Sequence, residues 1–419
     1  MSRQLRHNIT ALFTLQAATY ALPLISLPYL TRVLGTENFG RMAFAMAVIQ
    51  YFTVLTDYGF NLSATQRVAI VKDDEAELSK ILSAVVALKF MLCLAGALGL
   101  TVLLYFVPVL SQDWRLYALA YLAVLGHALF PVWLFQGMER MTAVTACSIA
   151  AQLLSLLALF AWVQDADHYR TAAALQAAAP LAAGVLAWII LWRAGNLRLR
   201  WPGRRYLAQT LQEGWHVFIS TAAISLYTTT NIVVLGLLTN PQTVAYFAVA
   251  DKLIKAVHGL TSPLSQAVYP HVARLGAQSR DAALAFIGRL LRWQSLATLA
   301  FSCGLFVLAD FIVRILFGPG FEESMPVVQW MALLPFVVGL SNVFGVQTML
   351  NFGLKRSFSR ILLGSGLINL ALLVPLASHY GAQGAAASVL MTELVVVVLM
   401  GLSLAREGLL SRLLYRSAA

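Results

Sequence analysis

The chain is 419 residues long, 60% hydrophobic and 11% charged, whereas an ordinary soluble domain carries about 25% charged residues. Its mean hydropathy of +0.76 means more apolar side chain than a water-soluble core can hide, so an ordinary soluble enzyme is excluded and the solvent is a bilayer. The net charge of +11 is expected to reflect membrane topology and to imply no nucleic-acid partner.

A bilayer-spanning helix needs roughly 20 apolar residues. About twelve such stretches run along the chain, centred near residues 22, 51, 93, 126, 152, 182, 227, 256, 302, 338, 370 and 394. They are long and uniformly apolar, unlike the short alternating segments of membrane barrels. The expected fold is an all-α integral membrane protein, with two pseudo-symmetric six-helix lobes around a central cavity. The connections are too short to hold a soluble catalytic domain.

The first span contains Pro23 and Pro28, each of which removes an intrahelical hydrogen bond. It is predicted to be broken and to line the cavity. The second ends in a polar run, Asp57-Tyr58-Gly59-Phe60-Asn61, with Arg67 following. That run reads either as a gate, Asp57 and Arg67 pairing across the lobes, or as a cap and turn. Lys89 lies near mid-depth of the third span, either facing the cavity or reaching back to the surface. After the sixth span comes the longest polar stretch, with Arg198, Arg200, Trp201, Pro202, Gly203, Arg204 and Arg205. It divides the chain into an N-terminal lobe (1–192), a basic cytoplasmic linker (193–213) and a C-terminal lobe (214–419).

The eighth span carries Asp251, Lys252, Lys255 and His258, which at 100° per residue share about a third of the helix circumference. Asp251 is expected to pair with Lys255, leaving Lys252 and His258 to offer an anion-binding surface. Leu253, Ile254 and Val257 are expected to face lipid. Glu393 sits near the middle of the twelfth span, either as an ion-coupling carboxylate or as the partner of a Lys. Cys93, Cys147 and Cys303 are scattered singly, so neither a disulfide framework nor a metal site is expected.

Two features concern the whole chain. An offset of 203 aligns Leu34, Thr36, Phe44, Ala45 and Ala47 with Leu237, Thr239, Phe247, Ala248 and Ala250, and an offset of 216 aligns Gly137 and Arg140 with Gly353 and Arg356. Six spans per half, repeated in one orientation, is a transporter pattern. With the amino terminus placed in the cytoplasm, 21 of the 29 basic residues fall on the cytoplasmic side, and both termini are expected there.

The run Pro28-Tyr29-Leu30-Thr31-Arg32-Val33-Leu34-Gly35, then Phe39-Gly40 and Asp57-Tyr58-Gly59-Phe60-Asn61, resembles the start of O-antigen and related polysaccharide repeat-unit flippases of the Wzx type. Trp133 to Glu139, Tyr227 with Asn231, Ala250 to Ile254 and Pro270 look like the same family. These flippases belong to the multidrug, oligosaccharidyl-lipid and polysaccharide exporter superfamily. The resemblance implies a transporter, not an enzyme, that moves an undecaprenyl-pyrophosphate-linked oligosaccharide between leaflets of the bacterial inner membrane by alternating access. It implies a proton or sodium gradient in place of any cofactor, with a polysaccharide polymerase and a chain-length regulator as partners. Arg32, Lys89, Lys252 and Lys255 would then offset the pyrophosphate charge, and Tyr29, Tyr58 and Tyr227 would contact sugar. Asp57, Arg67, Asp251 and Glu393 would serve gating or ion coupling.

The rivals are weaker. A drug or organic-cation exporter of the same superfamily should present acids to its substrate, whereas three Lys stand here against Asp251. The related lipid II flippases typically have two further C-terminal helices. A membrane polymerase or glycosyltransferase would find a metal-binding spacing in Asp165-Ala166-Asp167, but in a short loop on the side without nucleotide sugars.

Overall fold

A computed structural model describes residues 3–194 and 199–415, with side chains mostly from residue 21 onward. Every regular element among the described residues is helical. Contacts divide the chain into two compact units, residues 1–233 and 234–419.

Unit 1 holds α1 (Arg3–Asp57), α2 (Phe60–Ile70), α3 (Glu75–Phe106), α4 (Pro108–Ser111), α5 (Trp114–Ala120), α6 (Leu122–Leu129), α7 (Val132–Gly137), α8 (Met141–Trp162), α9 (Tyr169–Ala194) and most of α10 (Arg204–Leu238). Unit 2 holds α11 (Pro241–Gln278), α12 (Arg280–Val307), α13 (Ala309–Leu316), α14 (Ser324–Met331), α15 (Leu334–Asn342), a π-helical turn (Val343–Met349), α16 (Lys355–Arg406) and α17 (Leu409–Tyr415). Eight described helical stretches are long and apolar enough to cross a bilayer. Two of them are double: α1 is interrupted at Gly35 (φ 68°) and α16 at Gly381 (φ 55°). These left-handed positions favour glycine, which has no Cβ to clash. At Gly381 the arms of α16 fold back tightly, since a Cβ on Gly384 would run into the carbonyl oxygen of Leu376. With α10 and α11, each of the twelve apolar stretches lies on a helix or helix arm.

Three of the long helices start where a short polar side chain takes up free N–H groups of the first turn. Asp74 accepts from Ala76 N (3.0 Å) and Glu77 N (3.1 Å) at α3, Asn240 from Thr243 N (2.9 Å) at α11, and Ser279 from Ala282 N (3.2 Å) at α12. The prediction of a proline-broken first helix is corrected. α1 keeps helical backbone through Pro23 and Pro28, and its break comes at Gly35. Neighbouring hydroxyls supply extra bonds to the backbone there: Ser26 Oγ donates to Pro23 O (3.1 Å), and Thr31 Oγ1 to Leu27 O (3.0 Å) and Pro28 O (3.1 Å). The polar stretch after α9 is helical again from Arg204.

Each unit has its own apolar core. In unit 1, Phe60, Trp133 and Phe135 are almost fully enclosed, among Leu78, Ile81 and Val85 of α3 and Ala187 of α9. In unit 2, Leu284 and Ile287 of α12 pack with Met349, Met400 and Leu404. Outside these cores lies a belt of exposed large apolar side chains, among them Leu94, Leu98, Leu157, Trp192, Trp293 and Leu367, as a lipid-facing surface requires. The protein is a multi-pass membrane protein.

Candidate functional site

In unit 1 the charged site forms where two helices break. α1 ends at Asp57, because Tyr58 (φ 44°) and Gly59 (φ 73°) both take left-handed backbone before α2 begins. α6 ends at Leu129 with Phe130 already extended, and Pro131 has no N–H to return to the carbonyl four residues back, which is that of His127. Lys89 of α3 serves both breaks. Its Nζ donates to Asp57 Oδ1 (2.8 Å) and to the orphaned His127 O (3.2 Å). The Lys89 side chain is 1% exposed and that of Asp57 23%, so the pair is enclosed on the lysine side and open on the carboxylate side. Irregular backbone within a membrane bundle persists only where protein or a water-filled cavity satisfies it, and Lys89 does that for His127.

Beyond the breaks, α2 and α7 pack on each other. Thr65 Oγ1 donates to Trp133 O (3.1 Å), and a Cβ on Gly137 would lie 2.6 Å from that of Val68. Tyr58 stacks on Phe218 of α10 with ring centroids 4.7 Å apart and planes 11° apart. Arg67 of α2 reaches the start of α10, donating to Glu213 (2.9 Å), Thr210 (3.2 Å) and Tyr206, whose hydroxyl in turn donates to Glu77 (2.9 Å). Burial and the bond to Glu77 push the Tyr206 phenol up to about 12, against the opposing pull of Arg67. Asp57 and Arg67 therefore do not pair as the gate reading expected. Ten positions and the 57–59 break separate them, and Asp57 pairs with Lys89 while Arg67 pairs with Glu213.

In unit 2 the stripe on α11 is present with one correction. Asp251 and Lys255 pair at 2.7 Å, their side chains 15% and 54% exposed. Asp251 also interacts electrostatically with Lys252 and His258, so these two do not lack a counter-charge. Leu253, Ile254 and Val257 do not face lipid; they are 8%, 3% and 8% exposed. An apolar side chain suits lipid and protein core equally, so periodicity cannot choose between them, and here the apolar flank packs into unit 2. Of the charged stripe only Lys255 is exposed; Asp251, Lys252 and His258 are partly buried.

The remaining predicted residues are scattered. Tyr29 is a fastener: its hydroxyl donates to Val163 O (2.6 Å) at the end of α8, and its ring meets Phe160 edge-on at 4.6 Å. Arg32 is exposed and Glu393 half-buried. Beside Glu393, Thr392 accepts from Asn369 (3.4 Å) and donates to Ser388 O (2.7 Å). The Tyr227 side chain lies outside the described residues. Sequence reasoning missed three features. His127 O becomes a ligand for Lys89 only because Pro131 follows it four residues on, a signal that was readable. Asp113, at the start of α5, binds Tyr169 (2.6 Å) and Arg170 (2.8 Å), with no sequence signal. Gln347, in the π-helical turn, donates to Ser265 Oγ and O (both 3.0 Å). Among the described residues no group of His, Cys, Asp and Glu could hold a metal ion.

Comparison with known proteins gives this geometry its family. The model of a family described as polysaccharide biosynthesis protein matches residues 5–276. A protein of Escherichia coli K12, described as a candidate O-antigen transporter, is 36% identical over 401 residues, 94% of this chain and 95% of the relative. A protein of Shigella dysenteriae with the same description is 30% identical over 400 residues, 94% of this chain and 99% of its own. Among solved structures, the lipid II flippase MurJ in an inward closed conformation superposes with a TM-score of 0.71 at 12% identity, over 97% of this chain and 90% of that one. An inward-facing multidrug transporter of the MATE family gives 0.66 at 12% identity, over 96% and 98%. At that identity the likeness concerns fold alone, and it is the two-lobed helical fold expected from the sequence. The curated relatives are named as transporters and not as enzymes. On the family match and the 36% identity together, the chain belongs to the polysaccharide biosynthesis protein family of membrane transporters.

Proposed function

We propose that this protein is a flippase. It carries an O-antigen or similar repeat unit, linked to undecaprenyl pyrophosphate, from the cytoplasmic to the periplasmic leaflet of the bacterial inner membrane, with both its termini in the cytoplasm. The main support is the alignment with O-antigen transporter relatives over nearly the whole chain, in a protein with eight described helical stretches long and apolar enough to cross a bilayer.

The charges suit such a cargo. A pyrophosphate carries at least two negative charges, and moving them through a low-dielectric slab is costly unless cations replace the lost hydration. The α11 stripe offers Lys255, more than half exposed, and Lys252, three residues before it and partly buried near Asp251. Arg32 adds an exposed cation on α1. The prenyl tail has no need of protein and stays in lipid. Sugar hydroxyls meet polar and aromatic side chains, with Tyr58 the better candidate because the Tyr29 hydroxyl is already engaged. Alternating access is driven in this reading by a proton or sodium gradient. Asp57 is a suitable coupling carboxylate: it is partly open and its occupancy sets the balance with Lys89. Asp251 and Glu393 are the alternatives.

The test is leaflet-resolved detection of the lipid-linked repeat unit in cells depleted of the protein, with the glycosyltransferases intact. Complete units accumulating on the cytoplasmic leaflet, with surface polymer lost, are the expected result. Absence of the unit would point to synthesis, and normal periplasmic units to a different cargo such as an organic cation.

A further inference from the structure

One end of unit 2 is edged with arginine. On α12, Arg289, Arg292, Trp293, Leu296 and Leu299 are exposed. On the first arm of α16 the exposed run is Arg356, Arg360, Leu363, Leu367 and Leu370, and on the second arm Leu394, Val398, Leu402 and Arg406. At 100° per residue each set falls within about a third of its helix circumference, so each is one face. All three faces change from bare apolar side chains to arginine, and they change at one level. Leu291, Ile361 and Leu404, one or two residues from Arg292, Arg360 and Arg406, share an apolar cluster with Leu413 of α17, whose neighbour Arg412 is also exposed.

That change marks the depth. Exposed leucine suits hydrocarbon, and exposed arginine suits headgroups and water. Trp293, 74% exposed between Arg292 and Leu296, stands where an interfacial tryptophan belongs. The arginines therefore form a rim at headgroup level on neighbouring helices of unit 2. Its charge is unbalanced: among the described residues the acids at this end are Asp281 and Glu407, against six arginines. Beyond the other end of α12, by contrast, Arg314 is neutralised by Asp310 at 2.8 Å.

Charge and chemistry select the occupant. Orienting the helices at insertion needs only basic residues somewhere in the loops of one side, lysine or arginine alike. Here the charges are guanidiniums, and they continue the faces that meet lipid. A guanidinium matches a phosphate with a rigid fork of N–H donors. Arg289 with Arg292, and Arg356 with Arg360, are spaced to stand side by side on their helices. We propose that this rim binds anionic phospholipid headgroups of the adjoining leaflet, their phosphates against the arginines and their acyl chains along the leucines below. A soluble anion would have no use for that apolar continuation. In the topology proposed above this is the cytoplasmic leaflet, but the binding depends neither on that topology nor on the cargo.

The experiment uses the full-length protein, delipidated in mild detergent, and native mass spectrometry to compare phosphatidylglycerol with phosphatidylethanolamine of the same acyl chains. Wild type should retain phosphatidylglycerol more tightly, by about fivefold for each arginine engaged. Arg292→Gln should weaken that binding about fivefold, and Arg292→Gln with Arg360→Gln and Arg406→Gln about a hundredfold, with phosphatidylethanolamine retention unchanged. Arg314→Gln removes the same charge beyond the other end of α12 and should change neither. Equal retention of the two lipids by wild type overturns the proposal, whatever the variants do. So does a preference that survives in the triple variant, or one that Arg314→Gln weakens as much as Arg292→Gln does, since net charge and not the rim would then be read. Displacement of phosphatidylglycerol by an equal concentration of inorganic phosphate overturns it too, and would reassign the rim to a soluble anion.

Discussion

Replacing Lys89 by Met keeps the length and the apolar stem but removes the ammonium that joins two helix breaks. Asp57 loses its 2.8 Å partner and His127 O its 3.2 Å donor. Breaking a buried ion pair from one side costs about 3–5 kcal/mol. The Asp57 side chain is 23% exposed, so it can rehydrate or take up a proton, and the low end applies. The orphaned carbonyl adds about 1 kcal/mol, for a total near 4 kcal/mol, or roughly a 10 °C fall in Tm for a unit of this size. Asp57→Asn with Lys89→Met removes the unpaired charge and should cost only about 2 kcal/mol. Thermal unfolding of the purified variants in one detergent, read by fluorescence-detected gel filtration, measures both. A Lys89→Met protein within about 1 kcal/mol of wild type, or a double variant less stable than the single one, would refute the account of Lys89 as the tie between the breaks.

Lys255→Ala and Lys252→Ala should lose surface glycan while membrane levels of the protein stay normal; wild-type glycan in both, by electrophoresis of surface polysaccharide, would remove the α11 stripe from transport. Tyr29→Phe should cost about 1 kcal/mol through its lost bond to Val163 O yet leave surface glycan intact, and loss of glycan at normal Tm would make Tyr29 a cargo contact instead. Gly126→Ala should lower Tm sharply, because the new Cβ would meet the backbone of Pro180 and Leu181 on α9, an overpacking cost of about 2 kcal/mol or more; an unchanged Tm would mean α6 and α9 can part freely. The Tyr206 phenol, raised to about 12 from an unfolded value near 10, contributes stability that is whole below pH 10 and lost as pH climbs through 12. Tyr206→Phe should therefore show a shallower fall in Tm than wild type between pH 10 and 11.5, and parallel curves would show that the phenol is not held protonated by its surroundings.

Much of the architecture was legible in the sequence because a bilayer imposes its thickness on every span. The positions of the twelve apolar stretches, the turns around Leu34 and Leu237, and the breaks after Gly137 and Gly353 all follow from local composition and backbone chemistry. So does the Asp251–Lys255 pair, since four residues on one helix always bring two side chains together. What the sequence left open concerns partners supplied by other helices. Lys89 reads identically whether it snorkels, faces a cavity or bonds a carboxylate 32 residues away, and only packing chose Asp57 and the carbonyl freed by Pro131. Arg67 turned to Glu213 and Tyr206, in a stretch that looked like a linker. Leu253, Ile254 and Val257 went to the lobe core in place of lipid, since water, which sorts apolar from polar in soluble proteins, is absent from both environments. In a membrane, then, hydropathy locates the helices, and tertiary contact alone decides which of their faces meet protein.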